Sequence, residues 1–266
     1  MVDKSEKFNW LVRVGYFSRA VLYFVLGLLA LTSAGAISQG SDGIFKAVEE
    51  FPAGTALLWV LVVGLTAYAM FRFASPLFDI ENNGSDKKGW GKRLGHAGSG
   101  IAHLALAWTA YKVATGSPSG GSGASGAAAG VLSVEFGGVV LGLLGVAFFL
   151  AAVNQADKAI SGKFMHRISA RAPDPTRWLG GAGFAARSVV YVVIGWSLVQ
   201  AGFLSSGPSQ VKTLGEAVAA LAGTGWLFTL TAAGLILFGL FSLILARYRI
   251  IPEIDSDQGV PKFRAA

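Results

Sequence analysis

The 266-residue sequence is too apolar to form an ordinary soluble domain. Hydrophobic residues make up 53% of it and charged residues only 14%, whereas soluble domains carry about 25% charged residues. The chain contains no cysteine, which excludes disulfide bonds, thiolate metal sites and thiol catalysis. Its net charge of +7 does not require a nucleic-acid partner, because a basic side facing anionic membrane lipid explains the same excess.

Six continuous apolar segments follow one another along the chain. Each is close to the length of about 20 residues that a helix needs to cross a bilayer, and none shows the alternation of a barrel strand. We therefore predict an all-α membrane protein with six transmembrane helices, at 14–33, 54–74, 97–115, 134–153, 184–203 and 225–246.

Three of these segments carry copies of one motif, Gly-x3-Arg-x3-Tyr-x3-Gly. The first copy is Gly15, Arg19, Tyr23 and Gly27, and the last is Gly183, Arg187, Tyr191 and Gly195. The middle copy is degraded to Gly95, Ser99, His103 and Ala107. The segment after each copy has a glycine followed four residues later by an aromatic residue, at Gly64/Tyr68, Gly145/Phe149 and Gly234/Phe238.

This register predicts three tandem helical hairpins, because a spacing kept in three copies indicates a repeat architecture. Repeat 1 covers residues 1–80, repeat 2 covers 81–172 and repeat 3 covers 173–266. Small residues let neighbouring membrane helices approach closely. We assign that packing role to Gly15, Gly27, Gly64, Gly145, Gly183, Gly195 and Gly234.

The basic residues indicate the orientation of the helices. All but three of the 22 Lys and Arg lie with the N-terminal tail, the second and fourth connections and the C-terminal tail; the exceptions are Lys46, Lys112 and Lys212. Cytoplasmic connections carry such an excess of Lys and Arg, so both termini are predicted to be cytoplasmic. Membrane lipids, anionic on that side, are the predicted partners, and nucleic acid is not.

The predicted outside connections differ among the repeats. Apolar residues at helical spacing predict short amphipathic helices on the outer membrane face at about 42–53 and 211–222. The connection in repeat 2 has instead a glycine- and serine-rich stretch at 117–126, which is typical of a flexible linker.

The motif stripes contain the best candidates for a binding site. If the hairpins pack around a pseudo-threefold axis, the stripes of the first, third and fifth spans face one another, and their polar side chains form an anion or lipid-headgroup site. The candidates are Arg19, Tyr23, Ser99, His103, Arg187 and Tyr191. In a simpler interpretation, the arginines extend to the nearby interface and His103 is a neutral histidine bonded to a neighbouring helix.

Catalytic chemistry has little support in the sequence. No pair of carboxylates lies within a span, so neither an acid/base pair nor a cage for a hard metal ion is visible. Two loose Gly-x-Ser-x-Gly matches follow no strand and reflect the 36 glycines of the chain. We therefore expect no enzyme activity, no metal and no cofactor.

The three phased motif copies resemble the membrane family catalogued as domain of unknown function 1206. Members of that family carry three tandem pairs of transmembrane helices. The resemblance covers about residues 12–248, with the middle copy departing at Ser99, His103 and Ala107. It implies the fold and a bacterial inner (plasma) membrane, and it implies no activity.

Two functional classes remain open at this stage. The first is a non-catalytic polytopic membrane protein with a structural, accessory or lipid-interacting role, with a membrane-protein partner or a second copy as further partners. The alternative is a transporter or channel whose anion or small-solute site is built from the three stripes.

Overall fold

The computed structural model describes residues 4–32, 40–78, 86–117 and 124–250. All regular elements in these ranges are helical, apart from one isolated bridge between Ile168 and Arg249. The α-helices are α1 (Lys4–Thr32), α2 (Gly40–Glu49), α3 (Gly54–Phe78), α4 (Lys87–Ala114), α5 (Ala124–Leu132), α6 (Gly137–Ser161), α7 (Thr176–Gly202), α8 (Leu214–Ala219) and α9 (Trp226–Tyr248).

Five helices are long and apolar enough to cross a membrane. They contain the stretches Val12–Thr32, Gly54–Ala74, Gly137–Ser161, Thr176–Gly202 and Trp226–Tyr248, each of which overlaps a predicted segment. The remaining predicted segment, 97–115, lies in α4, which is 28 residues long but does not reach the hydropathy of the other five. Its glycines, serine, histidine and lysine reduce its mean hydropathy.

Short helices occupy the connections that we expect outside the membrane. α2 and α8 overlap the segments 42–53 and 211–222, and each has apolar side chains that are fully buried in the protein, among them Phe45 and Val218. A capping box of Thr213 and Glu216 begins α8. α5 lies partly in the stretch where we expect a flexible linker; the alanines at 127–129 favour a helix there. The rest of that linker, 118–123, lies outside the described residues.

The long helices form a ring in chain order that is open at one place. α1 packs on α3, α3 on α4, α6 on α7, α7 on α9, and α9 returns to α1. The side chain of Arg13 strengthens the return contact, because it donates hydrogen bonds to the carbonyl oxygens of Ala246 and Arg247 at the end of α9. Over their described lengths, α4 and α6 share no comparable interface. The two long helices of repeat 2 are therefore apart.

Close contacts at glycine explain the pairing within repeats 1 and 3. A Cβ atom on Gly15 would lie 2.9 Å from Cα of Tyr68, and one on Gly183 would lie 2.7 Å from Cα of Phe238. Only a hydrogen at these positions lets α1 meet α3 and α7 meet α9 so closely. A Cβ atom on Gly95, the matching glycine of repeat 2, would have no neighbouring atom within 4 Å.

The second long helix of repeat 2 uses its glycines to pack on repeat 3 instead. A Cβ on Gly145 of α6 would lie 2.7 Å from the carbonyl oxygen of Gly195 in α7, and one on Gly138 would lie 2.8 Å from that of Gly202. Of the most apolar part of α6, 28% is buried, compared with 61% for α1. Thus α6 packs mainly on α7 and leaves a gap between itself and α4.

Candidate functional site

The first motif arginine is buried among aromatic rings. Arg19 is 6% exposed, and its Nη1 donates to the hydroxyl of Tyr68 at 2.9 Å while its Nε donates to Oγ of Ser242 at 3.1 Å. Its guanidinium carbon lies 4.5 Å from the ring centroid of Tyr16 and 5.0 Å from that of Phe238. The simpler interpretation, in which this arginine extends to the interface, is therefore wrong for Arg19.

The second motif arginine is less completely bonded. Arg187 donates from Nη2 to the hydroxyl of Tyr191, and its guanidinium carbon lies 5.0 Å from that ring, 5.4 Å from the ring of Tyr23 and 4.6 Å from the ring of Phe238. Its Nε is buried and has no hydrogen-bond partner in the described part of the chain. A buried donor without a partner is costly and requires an explanation.

Both arginines lie against one ring, that of Phe238. Their guanidinium carbons are therefore no further apart than the sum of 5.0 Å and 4.6 Å. Among the described residues, neither arginine has a hydrogen bond or an ion pair with a carboxylate. Two unit charges about 10 Å apart repel each other by roughly 2 kcal/mol at an effective dielectric constant of about 20. The aromatic faces offset part of this cost. An anion bound near both guanidinium groups would offset more of it.

Tyr68 connects the first arginine to the stripe of repeat 2. Its hydroxyl also accepts from Nε of Arg72 at 3.0 Å, and its ring lies 4.6 Å from that of His103, centroid to centroid. Nδ1 of His103 lies 2.7 Å from the carbonyl oxygen of Ser99, one turn earlier in α4. The ring of His103 thus lies against Tyr68, one helical turn after Ser99 in α4.

The pseudo-threefold order of the stripes is visible in three aromatic pairs. Tyr23 of α1 meets Phe238 of α9 at 4.8 Å, and Tyr191 of α7 meets Phe148 of α6 at 5.5 Å. The third pair is His103 of α4 with Tyr68 of α3. In each pair, the third motif position contacts an aromatic residue of a long helix from another repeat. Tyr23, His103 and Tyr191 thus occupy equivalent places in the three repeats.

The seven glycines to which we assigned a packing role all lie at close helix contacts. A Cβ at any of them would come within 3.0 Å of an atom of a neighbouring helix. In repeat 2, Gly95 and Gly98, whose Cβ atoms would meet open space, correspond to Gly15 and Ser18 of repeat 1.

Several residues of the cluster were not among the predicted site residues. Tyr68 and Phe238 were noticed only as repeat markers, and Ser242 gave no signal in the sequence. Gln155 of α6 is 8% exposed, and its Oε1 has no partner in the described part of the chain. Ser188 donates to the carbonyl oxygen of Ala152, one turn before Gln155. The Oε1 atom of Gln155 and the Nε atom of Arg187, both buried without a hydrogen-bond partner in the described part of the chain, are therefore on neighbouring levels of α6 and α7.

Comparison with known proteins gives the family but no activity. The chain is 28% identical over 259 residues to "Uncharacterized protein YxxB" of Bacillus subtilis (strain 168), a match that covers 92% of this chain and 94% of that protein. No solved structure matches. The model of the family described as Domain of Unknown Function (DUF1206) matches three times, at residues 14–78, 94–162 and 182–249. Because these matches cover most of the sequence in three tandem copies, the chain belongs to the DUF1206 family.

Proposed function

We propose that this chain is a non-catalytic protein of a bacterial inner (plasma) membrane that binds a phosphate-bearing anion between Arg19 and Arg187. The observation that carries the proposal is the pair of guanidinium groups on one phenylalanine ring without a carboxylate partner among the described residues. Nε of Arg187 supplies a free donor at this place.

The chemistry of the cluster suits phosphate better than other ligands. A guanidinium presents several N–H donors in a plane and pairs with two phosphate oxygens at once. Charge-assisted hydrogen bonds of this kind are about twice as strong as neutral ones. No group of three or more His, Asp and Glu that could hold a metal ion occurs among the described residues, so the proposal does not involve a metal.

The proposal includes six membrane crossings with both termini in the cytoplasm. α4 supports the sixth crossing because it packs along α3, one of the five apolar spans. At 1.5 Å per residue, its 28 residues exceed the hydrocarbon thickness of about 30 Å. Its His103 packs on Tyr68 of α3 and bonds to the carbonyl oxygen of Ser99, as expected for a polar group in a span.

Transport of a small anion is the second candidate. The observation in its favour is that Arg19 lies inside the ring and not at its outer surface. Against it, α2 and α8 pack on each other and on α1, with fully buried apolar residues such as Phe45 and Val218. This packing closes one end of the ring, so we place transport behind binding.

Native mass spectrometry tests the binding proposal with two probes. The protein is extracted from membranes that contain phosphatidylglycerol, and a delipidated sample is titrated with inorganic phosphate. We expect the wild type to bind at least one probe and Arg187→Ala to bind it about tenfold more weakly, the effect of one lost charge-assisted hydrogen bond.

Arg171→Ala is the matched control, because Arg171 is an exposed arginine of a connection outside the ring. It should bind like the wild type. Arg187→Lys keeps the charge but loses the planar fork, and it should bind with intermediate strength. The proposal is wrong if the wild type binds neither probe, or if both alanine variants lose binding equally.

A further inference from the structure

The open side of the ring lies between α4 and α6 and is lined by apolar surface. In repeats 1 and 3, the first motif glycine is covered by the second long helix of the same repeat, whereas Gly95 and Gly98 face open space. On the face of α4 that carries Gly95 and Gly98, Ala102 and Ala105 are exposed as well, and so is Leu143 on α6. We call this gap, bounded by residues 95–108 of α4 and 139–153 of α6, the lateral opening.

The candidate site is accessible on the side of this opening. Arg19, Tyr23 and Tyr68, on α1 and α3, are buried. The site residues of the other two motif helices, Ser99 and His103 on α4 and Arg187 and Tyr191 on α7, are half-buried. Exposure within the cluster is therefore greater on α4, which borders the lateral opening, and on α7 than on α1 and α3.

We propose that the anion bound by the arginine pair is the phosphate of a membrane lipid that enters through the lateral opening. This inference rests on the function proposed above and names the source of its anion. The headgroup binds at Arg187 and Tyr191, and the acyl chains lie against Gly95, Gly98 and the apolar side chains of α4 and α6.

Charge favours a lipid as the occupant over a second copy of the chain. Arg187 lies in the half of the apolar stretch Thr176–Gly202 that begins at Thr176. The same end of the opening carries Lys92 and Arg93 on α4 and Lys158 on α6, and basic residues at that level attract anionic lipid. A second copy would present the same basic groups, and like charges would then meet at the contact.

The test fills the opening without changing the arginines. Leucine at Gly98 has room, because no atom lies within 4 Å of its Cβ position. Gly98→Leu should bind phosphatidylglycerol about tenfold more weakly than the wild type in native mass spectrometry, since its side chain occupies the volume of an acyl chain. Binding of inorganic phosphate should not change. Gly130→Leu is the matched control, because Gly130 also faces open space but lies on α5.

The outcomes separate this inference from the proposed function. If the wild type binds inorganic phosphate but no phospholipid, the anion site stands and lateral lipid entry is wrong. Unchanged phospholipid binding in Gly98→Leu also overturns lateral entry. If the wild type binds neither probe, the proposed function is wrong, and the inference that rests on it is wrong as well.

Thermal unfolding provides a second readout. Gly98→Leu and Gly95→Leu should unfold at the temperature of the wild type, because both positions are open. A large loss of stability in both variants would mean that α4 and α6 are in contact, and the inference would again be overturned.

Discussion

Alanine at the first motif glycine should have different effects in different repeats. At Gly183, the new Cβ would lie 2.7 Å from Cα and Cβ of Phe238, about 1 Å closer than ordinary contact. Forcing α7 and α9 apart by this amount costs about 1–3 kcal/mol, and the gain in helix propensity of about 1 kcal/mol offsets part of it. Gly183→Ala should therefore lose up to about 2 kcal/mol of unfolding free energy.

At Gly95, only the propensity gain applies, because no atom lies within 4 Å of the new Cβ. Gly95→Ala should leave stability unchanged or raise it by up to about 1 kcal/mol. The assay is reversible unfolding in mixed detergent and SDS micelles, followed by tryptophan fluorescence. Propensity cancels in the difference between the two variants, which should be about 1–3 kcal/mol. Equal destabilisation by the two alanine variants would mean that Gly95 also contacts another helix, and the conclusion that the ring is open there would be wrong.

Three further predictions concern the hydrogen bonds and the crossings. Tyr68→Phe removes the hydroxyl that Arg19 shares with Arg72 and should cost about 1–3 kcal/mol in the same unfolding assay; no loss would mean that this bond does not stabilise the fold. Thr213→Ala removes the capping box of α8 and should cost about 1 kcal/mol, seen as a small decrease in unfolding free energy and no change in phosphate binding. Because the chain has no cysteine, single cysteines report sidedness cleanly. In intact cells, Ser133→Cys should react with an impermeant maleimide and Arg171→Cys should not, and the reverse pattern would contradict the proposed topology.

The sequence predicted the helices and their repeat well because both depend on local and periodic features. Apolar length and the spacing of the motif glycines indicate spans and hairpins without any knowledge of the tertiary contacts. These features led to the DUF1206 resemblance, which the family match confirms. The helix at Ala124–Leu132 was missed because the adjoining glycines and serines dominate the composition of that connection.

The partners of the motif residues could not be predicted from spacing alone. The sequence indicated that Arg19 and Arg187 share a stripe position, but it did not show that both lie on the ring of Phe238. The glycines of α6 could pack either on α4 or on α7, and in the structure they pack on Gly195 and Gly202 of α7. Nothing in the motif shows which of the two neighbours is preferred, so the separation of α4 from α6 could not be predicted.

The most direct test of the central claim is a cryo-electron microscopy map of the protein in phosphatidylglycerol nanodiscs, at a resolution that shows side chains. We predict a phosphate-sized density within hydrogen-bonding distance of Nε of Arg187, continuous with acyl-chain density between α4 and α6. A map in which that Nε donates to a protein side chain, and α4 and α6 are in contact with no density between them, would contradict the account.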